Sequence, residues 1–546
     1  MKIGKKLELE IEKMASDGRG ISHFDGLVVF VHGAVEGERV IAEIYTIHKT
    51  YLTAGVVKVL SPSTFRQESF CENSGACGGC PLSHIKYEKQ LEIKKQTVTD
   101  ALSRIGGLDL SGVHISNTKG METPYRYRNK MVFPIGTQKG KSVGGFYAPK
   151  SHDIVPFTDC FSGEKASSVA MGVVTEFLNR ENILPYDEKS EKGTVRRVFV
   201  RTGYHTKELM VVISSFTEKI KNIDKLIDML KAADFGGYTL KSIILNINRK
   251  KNNLVLGDKN ITLFGNGEIK DTLMGLEFKI SPHSFFQINP LQTEVLYKTA
   301  IDLADVDETK TVFDIYCGIG TISLFAAKRA KSVTGVEIVE KAIADAKNNA
   351  KSNNIENASF YCGAAEDVVP KLVEDGNRPD IVILDPPRKG SDEKTLSAIL
   401  TASPGKIVYV SCNPSTLARD LKFLCGNGYT LKQVVPVDMF PNTEHTETVA
   451  LLSRLRPDDV IEVELKSEDL HLTSAEAKAT YQQIKDYIFR KYGFKVSSLY
   501  IAQVKQKTGL PMGKNYNTSK KGTKVPVCPP EKEKAIKDAL EHFKMV

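Results

Sequence analysis

Between Pro290 and Arg456, apolar runs alternate with helical stretches, and this order constrains the fold of the 546-residue chain more than any other feature. The runs are TVFDIYC, SVTGVEIV, ASFYCG, DIVILDPP and KIVYVSC. Strands and helices in alternation are typical of a doubly wound, mostly parallel sheet. A last stretch, YTLKQVVPVDMFPNTEHTETVALLSRL, reads as two strands around a turn that would close one edge. The sequence therefore predicts a doubly wound α/β domain over residues 286–456.

Three further segments flank this α/β domain. Residues 1–62 contain short strands separated by glycine-bearing turns, a pattern that favours a small β-barrel. Residues 63–285 mix helical and strand-like runs and predict an α+β domain. Residues 457–546 form a basic extension, with a loop expected over GKNYNTSKKGTKVPVCPP at 513–530. Tyr481–Val546 carries 14 Lys or Arg and 5 Asp or Glu, a net charge of +9 that suits a polyanionic partner such as RNA.

Composition and cysteine content bound the class of protein. Hydrophobic residues make up 41% and charged residues 26% of the chain, as in soluble globular proteins, and no run approaches the roughly 18 apolar residues of a membrane span. The N-terminal stretch MKIGKKLELEIEKM has no apolar core region, so no secretory signal is predicted and a cytoplasmic protein is expected. In such a chain, nine cysteines favour metal ligation or catalysis over disulfides.

The turn after the first strand of the α/β domain has the features of a cofactor site. Gly318 and Gly320 in DIYCGIGTISL lie between a strand and a helix, where a ligand must approach the backbone without a Cβ in the way. Folds that bind NAD and folds that bind S-adenosylmethionine (SAM) both use such a turn. Glu337 ends the next strand, where one carboxylate can bind both ribose hydroxyls. Asp385, followed by two prolines, is a rigid outward-facing strand end with no evident use in a dehydrogenase, which favours SAM.

Cys412 follows the last of the apolar runs, in YVSCNP, where the strand stops and the chain turns. Open α/β sheets build their active sites at such strand ends, so Cys412 is expected beside Asp385 across one crevice. An exocyclic amine attacks a methyl group directly and needs no cysteine. Carbon 5 of a pyrimidine becomes nucleophilic only after something adds to carbon 6, and a thiolate does this well. The pattern therefore predicts a covalent adduct between Cys412 and a pyrimidine base.

Such an adduct must lose the proton on carbon 5 before the thiolate can leave, which requires a base. The stretch NTEHTETVALL offers Glu444, His445 and Glu447. Glu447 begins an apolar run, and partial desolvation on a strand would raise the pKa of its carboxyl toward that of a useful base. The residue pattern alone leaves the three candidates open.

A cysteine-rich stretch, CENSGACGGC, predicts a metal or cluster site. Cys71, Cys77 and Cys80 are spaced C-x5-C-x2-C, with glycines that allow the chain to wrap around an ion. Cys160, in HDIVPFTDCF, is available as a fourth ligand. The spacing alone is compatible with zinc and with an iron–sulfur cluster.

Five motifs together resemble the RNA uracil-C5 methyltransferase family: SCNPSTLARD, LDPPRKG, DIYCGIGTISL, SPHSFFQINP and EHTETVALL. The resemblance covers residues 1–456, and GRGISHFDGLVVFVHGAVEGERV near its start resembles the TRAM module, an OB-like RNA-binding barrel. It implies a Rossmann-like SAM-dependent methyltransferase domain preceded by an OB-like barrel. It also implies that Cys412 is the nucleophile and Glu447 the general base.

The same resemblance implies ligand-binding residues. Contacts to SAM fall on Gln287, Tyr316, Glu337 and Asp385. Thr321 and Ala364 depart from the family pattern, so no contact is assigned to them. A 4Fe–4S cluster is implied on Cys71, Cys77, Cys80 and Cys160. Because the chemistry above has no redox step, a structural or RNA-docking role is the better hypothesis for the cluster.

The barrel and the four-cysteine arrangement resemble the family branch that makes 5-methyluridine in 23S rRNA. We therefore expect 23S rRNA as the partner, with the barrel and YRYRNK (Tyr125–Lys130) as contacts and the target uridine unstacked or flipped out. The alternatives are the same chemistry on the T-loop of tRNA, a non-catalytic RNA-binding factor in ribosome assembly, and NAD-linked chemistry. No membrane or DNA partner is expected, and the chain is expected to be a monomer.

Overall fold

The computed structural model describes residues 1–149, 151–250, 254–455, 481–492, 494, 496–508, 510, 528–543 and 545. The chain divides into two units, Met1–Arg456 and Pro457–Val546. Residues 513–527, which belong to the loop expected at 513–530, lie outside the described residues. Among the described helices, none is long and apolar enough to cross a bilayer.

The N-terminal residues form a six-stranded sheet around its own apolar core. Its strands are β1 (Lys6–Glu10), β2 (Lys13–Met14), β3 (Gly20–Phe24), β4 (Leu27–His32), β5 (Arg39–Ile47) and β6 (Tyr51–Ser61). Buried and exposed residues alternate along β1, as expected for a strand with one solvated face. The run KLELEIEKM forms two strands instead of one, because the chain changes its pairing partner there from β5 to β3.

The central residues form a seven-stranded sheet in the order β10-β9-β8-β11-β12-β13-β14. Before this sheet come helix α1 (Tyr87–Asp100), which continues as a π-helical turn at Ala101–Ile105, and the short strand β7 (His114–Ile115). The strands of the sheet are β8 (Lys130–Gln138), β9 (Lys141–Tyr147), β10 (Ile154–Pro156), β11 (Val195–Thr202), β12 (Glu208–Ser215), β13 (Thr239–Ile247) and β14 (Lys259–Phe264). Helices α2 (Lys165–Arg180) and α3 (Ile223–Ala232) pack in its core, and a hairpin of β15 (Ile269–Leu273) and β16 (Leu276–Ile280) follows.

An eight-stranded sheet has the order β19-β18-β17-β20-β21-β23-β22-β7. Its further strands are β17 (Thr311–Ile315), β18 (Ser332–Glu337), β19 (Ala358–Cys362), β20 (Ile381–Leu384), β21 (Lys406–Ser411), β22 (Tyr429–Val437) and β23 (Glu447–Arg454). The first five strands in this order are parallel, whereas β23 runs antiparallel to both β21 and β22. The helices between the strands are α4 (Pro290–Ala304), α5 (Thr321–Ala327), α6 (Glu340–Ser352), α7 (Ala365–Glu374), α8 (Glu393–Ala402) and α9 (Pro414–Gly426). The predicted doubly wound α/β fold is confirmed.

Helices cover both faces of this sheet. Because successive residues of a strand point to opposite faces, one parallel strand can contribute to two cores. Val312 of β17 packs in the core that contains residues of α4, α5 and α6. Phe313, the next residue, packs in the core that contains residues of α7, α8 and α9. The carboxyl ends of the parallel strands are thereby held in a fixed arrangement at one edge.

The eight-stranded sheet also takes elements from the preceding part of the chain. Val98 of α1 and Leu102 of the π-helical turn are buried in the same core as Phe313. Strand β7 pairs in parallel with β22 at the end of the sheet, with His114 opposite Gln433. The sequence predicted α1 as a helix, but nothing in its pattern assigned it to this sheet.

The second unit contains three described helices, α10 (Tyr481–Tyr492), α11 (Ser498–Lys507) and α12 (Pro530–His542). A small apolar core of their own joins them, with Ile484, Ile501 and Ile536 fully buried. Exposed ion pairs join the same helices, with Lys491 Nζ 2.9 Å from Asp538 and Lys507 Nζ 2.6 Å from Glu533. Several of the basic residues in this unit are therefore already neutralised by neighbours.

Candidate active site

The carboxyl edge of the eight-stranded sheet brings together most of the site residues predicted from the sequence. Gly318 follows β17, Glu337 ends β18, Asp385 follows β20 and Cys412 follows β21. Glu447 reaches the same edge from the opposite direction, because it begins the antiparallel strand β23. All five residues line one cavity of about 880 Å³. This is the edge at which open α/β sheets bind their ligands.

The turn after β17 leaves room for a ligand against the backbone. Gly318 has a φ of +55°, and a Cβ built there would meet no protein atom within 4 Å. Its N–H donates to Glu337 Oε2 (3.3 Å), and the N–H of Val339 donates to Glu337 Oε1 (3.0 Å). Tyr316 has a φ of +66°, a strained conformation for a residue with a side chain. Its hydroxyl lies 3.0 Å from Ser391 Oγ, which fixes the ring at the cavity wall.

The loop before α4 closes another side of the cavity. Asn289 caps α4 by accepting from the N–H of Gln292 (3.2 Å), and its side chain also donates to the carbonyl of Met439 (3.0 Å). Gln287, two residues earlier, lines the cavity. Thr321, at one of the two positions that depart from the family pattern, lies with its hydroxyl 3.3 Å from Tyr297 Oη. Gln287 therefore belongs to the same site as the strand-end residues.

The sequence around Cys412 is that of a strand running directly into a helix. Asn413 caps α9 by accepting from the N–H of Ser415 (3.0 Å), and Pro414 occupies the first helical position, where no N–H is needed. The half-buried Cys412 thiol therefore lies at the junction of β21 and α9. Burial, together with the charges of Glu447 and Asp385, raises the pKa of this thiol to about 11.

Two carboxyl groups share the cavity with this thiol. Glu447 is 4% exposed, and burial followed by the charge of Asp385 raises the pKa of its carboxyl to about 8. Burial raises the pKa of the Asp385 carboxyl to about 7. The guanidinium of Arg388 opposes these effects, lowering the pKa of both Cys412 and Glu447. The cavity therefore disfavours negative charge and favours a cationic ligand.

Cys412 lies where two cavities meet. The second cavity has a volume of about 920 Å³ and extends between the N-terminal barrel and α1, where Lys13 and Lys89 line it. Arg388, Cys412 and His445 line both cavities. One ligand can therefore reach the thiol from the carboxyl edge of the sheet while another reaches it from the barrel side.

The four cysteines predicted to bind a metal line a separate small cavity of about 40 Å³. Burial, together with the nearby Cys160, raises the pKa of the Cys80 thiol to about 12, although the charge of Arg128 opposes this effect. Phe70, Phe146, Phe157 and Phe161 form much of the wall. Within the described ranges, no three His, Cys, Asp or Glu side chains are arranged to hold a single metal ion. The four thiols nevertheless line one cavity, whose wall is largely apolar.

Comparison with known proteins identifies the family. Residues 218–455 match the profile described as tRNA (Uracil-5-)-methyltransferase, and residues 1–57 match the TRAM domain. An uncharacterised RNA methyltransferase of Caldanaerobacter subterraneus is 46% identical over 83% of this chain and 99% of its own length. Another, from Clostridium tetani, is 44% identical over 82% of this chain and 95% of its own. The chain belongs to the tRNA (uracil-5-)-methyltransferase family.

A solved structure agrees with this assignment. The Pyrococcus abyssi tRNA (uracil-54, C5)-methyltransferase, crystallised with S-adenosyl-L-homocysteine, is 29% identical and matches with a TM-score of 0.65 over 82% of this chain and 99% of its own. This family member is therefore a methyltransferase. As predicted, it has a Rossmann-like SAM-dependent fold and an N-terminal TRAM domain. The family profile ends at residue 455, so the second unit lies beyond it.

Arg388 lines both cavities of this family member but is not among the site residues predicted from the sequence. Arg388 lies in LDPPRKG, directly after the two prolines, and its position close to Asp385 was the available signal.

The three candidate bases, Glu444, His445 and Glu447, differ in their burial. Glu447 is buried, whereas Glu444 and His445 are half-buried. His445 Nε2 lies 3.8 Å from Glu444 Oε1, and burial lowers the pKa of this imidazole.

Proposed function

We propose that this enzyme transfers a methyl group from SAM to carbon 5 of a uridine in RNA, making 5-methyluridine. One observation carries the proposal: Cys412, Glu447 and Asp385 meet at the carboxyl edge of the SAM-type fold, where two cavities join. A thiol beside a buried carboxyl suits a base that must be activated at carbon 6 and deprotonated at carbon 5. A methyltransferase acting on an amine has no use for this pair.

The reaction begins with the thiolate of Cys412, which adds to carbon 6 of the uracil ring and pushes the electron pair of the C5–C6 bond onto carbon 5. SAM, when bound, supplies an electrophilic methyl group on a positively charged sulfonium and leaves as S-adenosylhomocysteine. Carbon 5 forms the new bond to this methyl carbon as the sulfur–methyl bond breaks. The carboxylate of Glu447 takes the proton from carbon 5, the C6–sulfur bond breaks, and the double bond re-forms with release of the Cys412 thiolate.

The residues proposed to hold SAM fit its chemistry. The carboxylate of Glu337 would bind the ribose hydroxyls, and the open backbone at Gly318 would accept the chain of the methionine moiety. Ile338 and Val339, 67% and 53% exposed, offer apolar surface beside Glu337 for the adenine ring. Gln287, Tyr316 and Asp385 are the remaining proposed contacts. A sulfonium in this cavity would lower the pKa of Glu447 and of Cys412, because a nearby positive charge favours the ionised forms.

The proposed RNA substrate fits the second cavity. A stacked uracil does not expose carbon 6 and both ring faces, so the target base must be flipped out or already unpaired. The cavity between the barrel and α1 leads to Cys412, and Lys13 and Arg388 along it suit RNA phosphates. We propose 23S rRNA as the substrate, because the TRAM domain and the four-cysteine cavity together resemble the 23S rRNA branch of the family.

We also propose that the four-cysteine cavity holds a 4Fe–4S cluster on Cys71, Cys77, Cys80 and Cys160. Four thiols are the usual donor set for such a cluster, and the phenylalanine wall provides the apolar surroundings. Arg128, whose charge acts on Cys80 and Cys160, would favour the thiolates that ligation needs. When bound, the cluster would link the cysteine loop to the central domain covalently through iron, and no step of methyl transfer uses it.

The decisive experiment is covalent trapping with RNA that contains 5-fluorouracil, offered with SAM. Fluorine at carbon 5 cannot be removed as a proton, so the adduct should persist as a denaturation-resistant band that peptide mapping assigns to Cys412. Cys412→Ala should form no adduct, while Cys425→Ala, a half-buried cysteine of α9, should trap normally. Wild-type protein that methylates RNA but is never trapped would overturn the covalent mechanism.

A second candidate substrate is tRNA, favoured by the match to the Pyrococcus abyssi tRNA (uracil-54, C5)-methyltransferase. Labelled SAM offered with 23S rRNA transcript and with tRNA in separate reactions distinguishes the two. We expect label in the 23S transcript at a uridine, recovered as 5-methyluridine on digestion. Label in tRNA alone would replace 23S rRNA by tRNA and leave the chemistry unchanged.

A further inference from the structure

Two cations face each other on neighbouring strands of the central sheet, beside the cavity that contains Cys412. Lys130 begins β8 and Arg201 lies near the end of β11, and the two residues are direct partners in the antiparallel register. Lys130 lines the 880 Å³ cavity, as does Ser284, whose carbonyl accepts from Arg201 Nη2 (2.5 Å). Like charges directly opposite each other destabilise a sheet. The pair therefore needs an explanation.

Neither cation is neutralised by the protein. Arg201 is 4% exposed, and its Nε is buried with no hydrogen-bond partner. In the part of the chain that the structure describes, no carboxylate forms an ion pair with either side chain. Burial, Arg201 and Arg128 together lower the pKa of Lys130 to about 8, and burial lowers the pKa of Arg201 to about 10. Both shifts reflect positive charge held without a counter-ion.

Other buried or half-buried arginines nearby do have partners. Arg196, also on β11, lies 2.9 Å from Glu188, and Arg126 lies 2.6 Å from Asp159. Arg128 interacts with Tyr127 and with the thiols of the four-cysteine cavity. A buried charge without a counter-ion destabilises a fold, so the buried Arg201 beside the half-buried Lys130 marks a place where a ligand can supply the opposite charge.

We propose that Lys130 and Arg201 form a phosphate-binding site that holds the RNA backbone next to the target uridine. The proposal rests on the proposed function, since RNA provides a phosphate on each side of every nucleotide. A phosphate has several oxygens that accept at once from an ammonium and a guanidinium. The site would fix the backbone while the base reaches Cys412 in the same cavity.

The carboxylate of SAM is the other anion that this cavity could receive. Sheet topology favours the RNA phosphate. Of the proposed SAM contacts, Glu337 and Asp385 come from the carboxyl edge of the eight-stranded sheet and Gln287 comes from the loop before α4. Lys130, which lines the cavity, and Arg201, buried behind it, belong to strands of the seven-stranded sheet. The two sources make different predictions for binding, so one set of variants separates them.

The first test measures equilibrium binding of the shortest 23S rRNA fragment that the wild type methylates, at several salt concentrations. Lys130→Met should weaken RNA binding about tenfold and reduce the salt slope of log K by about one, because one phosphate contact is lost. The control is Lys141→Met, which removes an exposed lysine from β9 of the same sheet and should leave both values unchanged. The dissociation constant for SAM should not change in either variant.

The second test replaces the phosphates flanking the target uridine, one at a time, with uncharged methylphosphonates. In the wild type, one replacement should weaken binding as much as Lys130→Met does, and in Lys130→Met the same replacement should have no further effect. Arg201→Lys, which keeps the charge but loses the planar guanidinium, should show an intermediate loss of RNA affinity.

Three results would overturn the phosphate site. The first is a loss of RNA affinity from Lys130→Met that adds to the loss from every methylphosphonate. The second is weakened SAM binding by Lys130→Met with an unchanged salt slope. The third is an RNA affinity of Lys130→Met equal to that of the wild type. Methylation and 5-fluorouracil trapping by the wild type are measured on the same preparations. If the wild type methylates RNA and is trapped, any of these three results contradicts the phosphate site alone. If the wild type neither methylates RNA nor is trapped, the proposed function is contradicted.

Discussion

At the scale of single residues, the active site concentrates acidic groups that the protein does not neutralise. Cys412, Glu447 and Asp385 face one cavity, and each has a pKa above its ordinary value because burial disfavours its charged form. A cationic methyl donor is the complementary ligand. A bound cationic donor would favour the ionised forms of Cys412 and Glu447, which the proposed reaction needs.

The raised pKa of Glu447 predicts how stability depends on pH. A carboxyl whose pKa is about 8 in the folded state, against 4.5 for an unperturbed glutamate, stabilises the fold below pH 4.5 and loses that contribution as pH rises through 8. Glu447→Gln removes this dependence, so we expect it to be more stable than the wild type at pH 8.5 by roughly 2–4 kcal/mol and little different at pH 4.5. Urea denaturation at the two pH values measures the difference.

Glu444→Gln is the matched control for this prediction, because Glu444 is half-buried in the same turn. We expect its free energy of unfolding to follow the wild type at both pH values. A stability gain for Glu447→Gln that is equal at pH 4.5 and pH 8.5 would show that its carboxyl is not held with a raised pKa.

Arg388 should set the pH range of catalysis. Its guanidinium lowers the pKa of both Cys412 and Glu447, so Arg388→Met should raise both values and move the acidic limb of the kcat/KM profile to higher pH. We expect kcat at pH 7.5 to fall by about tenfold or more, since one lost charge interaction shifts each pKa by about one unit. The pH–rate profile of Lys394→Met, which removes an exposed cation of α8 that lines neither cavity, should match the wild type.

At the scale of elements, helix α1 contacts and positions the turn that leads to Glu447. Lys94 of α1 is 1% exposed and contacts the carboxylate of Asp438, and its Nζ also donates to the carbonyl of Phe440 (3.1 Å). Tyr87 of α1 donates to the same carboxylate (2.7 Å). The turn continues from these residues to Glu447, so helix α1, which lies far earlier in the chain, helps to fix the position of the proposed base.

Breaking this ion pair should unfold the region more readily. Lys94→Met leaves the Asp438 carboxylate buried and without its cation, so we expect a loss of about 3–5 kcal/mol in the free energy of unfolding. The double variant Lys94→Met with Asp438→Asn should recover a large part of this loss, because no charge stays buried. Lys95→Met, one position along α1, should cost less than about 0.5 kcal/mol. Chemical denaturation of the wild type and of these three variants measures the differences in the free energy of unfolding.

The same elements show how far the sequence predicts the structure. The alternation of strands and helices predicts the parallel sheet, and it places Asp385 and Cys412 on neighbouring strand ends because these positions depend on local pattern. The pairing of β7 with β22 is only two residues long and joins distant parts of the chain, so no local pattern reveals it. Lys130 and Arg201 likewise become neighbours only through the register of two strands, which the sequence does not state.

At the scale of the whole molecule, the second unit carries charge but no part of the family profile. Tyr481–Val546 has a net charge of +9, and the profile ends at residue 455. We expect a chain that ends at Leu455 to retain methyl transfer to a short RNA fragment and to bind long rRNA about tenfold more weakly at low salt, because phosphate contacts are lost. Parallel binding and methylation assays on the two proteins measure this. Unchanged affinity for long rRNA would assign the unit another role.

The meeting of two cavities at one thiol has a kinetic consequence. Because the donor and the nucleobase approach from different sides, spent S-adenosylhomocysteine can exchange for fresh SAM without dissociation of the transcript. Product inhibition should then be competitive toward the donor and non-competitive toward the nucleic acid. If the substrate is the proposed rRNA, one bound transcript could then be modified at a second uridine before it dissociates.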